Sequence, residues 1–143
     1  MTTIRSLVLE TPAASPEHTH RHYMNKLAVE TDVSDVRYDM KNGVADFVLA
    51  DVRSAQAYEE CHVPGAINLP SSGISAETTA ALSKEQLIVV YCWGPACNGG
   101  TKAAARLSAL GFRVKEMLGG IEYWRKEGHD VEGTHGHSAC MVG

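Results

Sequence analysis

The sequence predicts an α/β fold in which a parallel sheet is covered by helices on both faces. Two observations carry this. The runs Phe47–Val52 and Leu87–Cys92 are apolar almost without a break over strand length, the pattern of strands buried on both sides. Segments with helix-start signals alternate with them, as in units of strand, crossover helix and parallel strand. Such crossovers gather the strand C-termini and the next helix N-termini on one edge, where α/β proteins hold their sites.

Taken in order, residues 1–14 carry no convincing pattern. Ser15-Pro16-Glu17 reads as a helix start, with a hydroxyl cap, proline at the first helical position and an acid in the first turn. Tyr23, Leu27 and Glu30 follow at helical spacing; this thin apolar stripe suggests packing on a partner or a second copy, as in a homodimer. A second helix is expected from Ser34 through Val36, Tyr38 and Met40, ending at Asn42-Gly43. After the first strong strand, Ser54 caps a short helix through Tyr58 and Glu59. Val63-Pro64-Gly65 then turns into a short strand, Ala66–Leu69. Ser75 is expected to cap a helix holding Ala80, Ala81 and Leu82. Leu87–Cys92 is the strongest strand. A glycine-rich loop leads from it into a helix over Thr101–Leu110 that Gly111 stops, then a strand over Phe112–Met117 and a helix over Ile121–Lys126. The organisation predicted is an N-terminal extension with one helix (1–33), a single domain (34–131) and a loose, glycine-rich tail (132–143).

A chain of 143 residues is one ordinary domain by length. At that size it buries roughly two thirds of its unfolded surface and needs neither metal nor disulfide to fold. Its net charge of −4 offers no basic field for nucleic acid or anionic lipid. The segment MTTIRSLVLE lacks the apolar run of a signal peptide, and no stretch approaches the ~20 apolar residues that span a bilayer. A cytoplasmic location is therefore expected. In that reducing compartment the four cysteines, Cys61, Cys92, Cys97 and Cys140, read as catalytic or inert rather than as two disulfides.

Cys92 ends the strongest strand and is followed by Trp93, Gly94, Pro95, Ala96, Cys97, Asn98, Gly99 and Gly100. A thiol becomes a useful nucleophile when its thiolate is stabilised. Unpaired N–H groups of a curled loop and a helix start supply that stabilisation, and glycines let the backbone come close. The same cradle would hold a persulfide anion or a bound oxyanion. A buried cysteine closing a strand is the alternative on these residues alone.

Three separated motifs resemble the rhodanese domain across roughly residues 34–131. They are Asp51-Val52-Arg53 with Tyr58-Glu59 and His62-Val63-Pro64-Gly65-Ala66-Ile67-Asn68-Leu69-Pro70; the strand-terminal Cys92 with its loop; and Leu118-Gly119-Gly120 with Trp124. The resemblance implies a five-stranded parallel sheet flanked by helices. It also implies a sulfurtransferase in which Cys92 takes sulfane sulfur from thiosulfate or a thiol persulfide and passes it to a thiol or cyanide acceptor. No cofactor is implied. Loops of the family are usually shorter and often carry an Arg or Lys. Here no cation stands between Trp93 and Gly100, Lys102 being the nearest, which predicts weak turnover of thiosulfate. Cys97, inside the loop, is a candidate resolving thiol for a Cys92–Cys97 redox cycle, and a non-catalytic binding module is a third reading. Phosphatase relatives place an arginine where this chain has Asn98, which cannot clamp a phosphoryl group in two-pronged fashion.

Asp51 and Arg53 are expected on the same sheet edge as Cys92, with an Asp51–Arg53 or Arg53–Glu59 ion pair fixing the turn. His62 is expected to make a structural hydrogen bond, and Trp93 either screens the pocket mouth or simply packs. His18, His20 and His22, and the tail residues His129, His135, His137 and Cys140, are metal-capable. They read as a solvated face and a loose tail respectively, so no metal site is assigned.

Overall fold

A computed structural model describes residues 3–141. The outermost residues of the expected extension and tail, 1–2 and 142–143, lie outside the described residues. The elements are α1 (Pro16–Val29), β1 (Glu30–Asp32), α2 (Val33–Lys41), β2 (Phe47–Asp51), α3 (Ala55–Glu60), β3 (Ile67–Asn68), β4 (Leu87–Tyr91), α4 (Gly99–Ala109), β5 (Val114–Leu118) and α5 (Gly120–Lys126). The sheet has five strands in the order β1-β5-β4-β2-β3, every pair parallel.

β4 is central, and its alternating side chains divide between two cores. Val89 and Tyr91 pack with Val33 and Val36 of α2 and Ile121 and Trp124 of α5. Ile88 and Val90, with Cys92 just beyond the strand, pack with Ala103 and Leu107 of α4. Helices therefore cover both faces. Fully burying a side chain such as Ile88 or Leu107 contributes about 1.5–3 kcal/mol, so the two cores hold the strand ends in place. Two of the expected caps are present: the Ser15 and Ser54 hydroxyls accept from the N–H groups of His18 and Ala57. Gly111 ends α4 with φ of +93°. Among the described residues no helix is long and apolar enough to cross a membrane.

Four local expectations change. Glu30 leaves the first helix and opens β1, whose three residues pair with Glu116, Met117 and Leu118. So short an edge strand has no alternation of its own to read, and β5 imposes it. Asp32 rather than Ser34 caps α2, accepting from Asp35 N–H at 2.8 Å. The helix expected after Ser75 is a run of turns. There the Thr78 and Thr79 hydroxyls donate to the carbonyls of Gly73 and Ser75, both at 2.7 Å, competing with the helical ladder. Finally, the tail expected to be loose makes definite contacts. Arg125 donates to the carbonyls of His137, Ala139 and Cys140 at 2.7–2.9 Å, and Glu132 exchanges two backbone hydrogen bonds with His62. α1 buries none of its residues, and Tyr23, Met24 and Leu27 stand exposed on it.

Candidate active site

The parallel register sets Asp51 beside Tyr91, so β2 and β4 end together on one edge. At the end of β2 the Asp51 carboxylate accepts from Arg53 N–H at 2.9 Å and from the Arg53 guanidinium at 2.7–3.2 Å. This resolves the ion pair in favour of Asp51 over Glu59. The Tyr91 hydroxyl, on the same edge, accepts from Val63 N–H at 3.0 Å. Arg53 further reaches the Cys61 carbonyl and lies 4.4 Å from the centre of the Trp93 ring. Trp93 is thereby held flat against a cation and packs against both cores.

At the end of β4, Cys92 is 9% exposed and opens onto a small cavity of about 50 Å³. Cys97, Glu116 and the backbone of Gly94, Pro95, Gly119 and Gly120 line it as well. The loop turns back on itself: Cys97 N–H bonds the Gly94 carbonyl at 3.0 Å. The two thiols thus line one cavity. Gly99 is required here, because a Cβ would stand 2.7 Å from Cys92 Sγ and 3.4 Å from Cys97 Sγ. Burial, and then donation to Cys97, pushes the Cys92 thiol up to about 12. Burial acts on Cys97 too, but it is outweighed by the hydrogen bond from Cys92, by the N–H groups of Gly99 and Trp93 and by the charge of Lys102, which lower it. The loop therefore stabilises negative charge on Cys97, where the sequence places it on Cys92. Burial differs between the two positions, and sequence does not show it.

The closing segment holds the loop from the other side. At the start of α5, Ile121 and Glu122 N–H donate to the carbonyls of Cys92 and Trp93 at 3.1 and 2.8 Å. Gly120 adopts φ of +62°, and a Cβ there would stand 2.6 Å from the Cys92 carbonyl oxygen. Pro95, Ala96 and Asn98 face solvent, and Asn98 makes no side-chain cap to α4.

Of the supporting residues, Asp51 reaches Cys92 through its charge alone, and Arg53 through Trp93. His62 does not line the cavity. Its Nδ1 bonds the Tyr58 carbonyl at 2.6 Å, and its ring stacks on that of Tyr58 at 3.9 Å. Among the described residues no group of three or more His, Cys, Asp or Glu is placed to hold a metal. Sequence reading passed over Glu116, which follows Lys115 inside β5 and so reads as one of two charges on a solvated stretch.

Comparisons with known proteins agree with this architecture. Residues 32–127 match the Rhodanese-like domain. A thiosulfate sulfurtransferase, GlpE of Coxiella burnetii, is 33% identical over 81 residues, which are 56% of this chain and 73% of the relative. The HTH-type transcriptional regulator Rv0324 of Mycobacterium tuberculosis is 34% identical over 87 residues, 61% of this chain but only 38% of that protein. The crystal structure of the BH2092 protein from Bacillus halodurans superposes with a TM-score of 0.88 at 55% identity, covering 90% of this chain and 94% of that one. Parallel sheet, strand-end thiol loop and these matches converge: the chain belongs to the rhodanese-like domain family.

Proposed function

We propose that the chain is a sulfurtransferase that carries sulfane sulfur on Cys92. The supporting observation is the strand-end thiol pair, Cys92 and Cys97 both close to Gly99 in one cavity held by the start of α5. Cys97, once deprotonated, takes the Cys92 proton as Cys92 Sγ attacks the outer sulfur of the donor. The Cys92–sulfur bond forms, the donor S–S bond breaks, and a departing thiolate takes the proton back from Cys97. Sulfite leaves instead when thiosulfate is the donor. A thiol or cyanide acceptor then removes the outer sulfur. A reducing cytoplasmic setting suits a resting dithiol.

The placement of both thiols in one cavity also favours a second reading. Cys97 attacks the inner sulfur of the Cys92 persulfide, expels hydrosulfide and leaves a Cys92–Cys97 disulfide, which an external thiol reduces. Intact-mass measurement after incubation with a persulfide donor tests both. Gain of one sulfur atom at Cys92 is expected, with a Cys92→Ser variant losing transfer by about 10³-fold or more. A sulfur adduct on another residue, or undiminished transfer by Cys92→Ser, overturns the first reading. Loss of two hydrogens with no sulfur gained supports the second.

A further inference from the structure

The N-terminal turn of a helix attracts anions, because its first N–H groups lack partners. In this fold α4 begins against the loop, and Asn98 makes no side-chain cap to it. The place is already taken by a carboxylate of the chain. Glu116, reaching across from β5, accepts from the Thr101 hydroxyl at 3.0 and 3.2 Å, and its Oε1 lies 3.0 Å from where a Gly100 Cβ would stand. Glu116 lines the same cavity as Cys92 and Cys97. A second carboxylate, Glu122, packs so tightly on Gly94 that a Cβ there would not fit, and Lys126 holds it at 2.6 Å.

Lys102 acts on Cys97 through its charge and makes no hydrogen bond to either thiol, and Arg53 is committed to Asp51. A thiosulfate dianion entering the cavity meets the Glu116 carboxylate that lines it together with both thiols, and like charges repel. A donor bearing an ammonium group meets the same carboxylate as an ion-pair acceptor.

Building on the sulfurtransferase reading, we infer that Glu116 is the specificity-determining residue of the site, selecting persulfides borne by amine-bearing thiols over oxyanion donors. The reaction itself is unchanged and redox-neutral: one S–S bond breaks, one forms on Cys92, and the amine-bearing thiol leaves with the proton from Cys97.

The test compares three donors by the rate of sulfur uptake on Cys92: cysteamine persulfide, mercaptopropionate persulfide and thiosulfate. The wild-type protein is expected to favour the cationic persulfide over the anionic one by about tenfold, and to lose that preference at about 1 M salt, where the Debye length is ~3 Å. Glu116→Gln keeps an acceptor for Thr101 and removes the charge. It is expected to erase the preference and to speed uptake from thiosulfate by about tenfold. An equal preference in the two proteins, or a wild-type preference indifferent to salt, overturns the inference and leaves sulfur transfer standing. Failure of all three donors to load Cys92 overturns the sulfurtransferase reading and this inference with it.

Discussion

Two neighbouring strand ends of the same sheet are built in opposite ways. β2 ends in Asp51, wholly buried, with its carboxylate bonded to Arg53. β4 runs out just before Cys92, whose surroundings are another thiol and the backbone of a glycine loop. The first end spends its polar groups on one another and has nothing left to react. The second leaves a thiol open to a cavity. The difference shows how a rigid sheet edge can present chemistry: one strand end locks the frame so that its neighbour can stay open.

The largest expected effect comes from breaking the locked end. Arg53→Ala leaves the Asp51 charge buried without its cation and is expected to cost about 3–5 kcal/mol of stability, read by urea unfolding. A cost below about 1 kcal/mol would place this pair with the weak surface pairs instead. A smaller effect is expected at the open end. Gly99→Ala drives a methyl group into Cys92 Sγ and is expected to cost about 1–3 kcal/mol while slowing sulfur uptake by about 10²-fold. Unchanged uptake in a stably folded variant would mean that the loop yields freely.

The smallest effect sharpens the contrast within the open end itself. Cys97 is lowered and Cys92 raised to about 12, so alkylation at neutral pH should label Cys97 first, with Cys92 labelled only as the pH climbs. Peptide mapping of the labelled protein reads this directly. In Cys97→Ser the acceptor that retains the Cys92 proton weakens, so Cys92 labelling should begin at lower pH. Preferential labelling of Cys92 in the wild-type protein would reverse the assignment of proton and charge.

What was legible in the sequence is what neighbouring residues decide among themselves. Ser15 and Ser54 cap helices three residues ahead of the N–H groups they accept from, and Gly111 stops α4 by its own backbone. The Cys92 loop was legible because strand, thiol and glycines are contiguous. What was not legible depends on which strand lies beside which. β1 exists because β5 pairs with it, and Glu116 faces the site because that strand lies next to β4. Which cysteine holds its proton more tightly depends on how deeply each is buried and on which loop N–H groups face each sulfur, and the order of residues shows neither. After Ser75 the cap forms, its hydroxyl accepting from Thr78 N–H, but the turns that follow do not propagate into a helix.

The contacts that Gly120 permits carry a consequence for how the protein is made. The carbonyls of Cys92 and Trp93 are held by N–H groups of Ile121 and Glu122, far downstream in the chain. A nascent polypeptide emerging residue by residue therefore possesses both cysteines well before it possesses the clamp that shapes their loop. Closing that long-range contact is entropically slow compared with forming α3 or α4 locally. Until it closes, Cys92 and Cys97 behave as ordinary thiols of an unfinished chain. The unequal environments of the two thiols are thus completed late in folding.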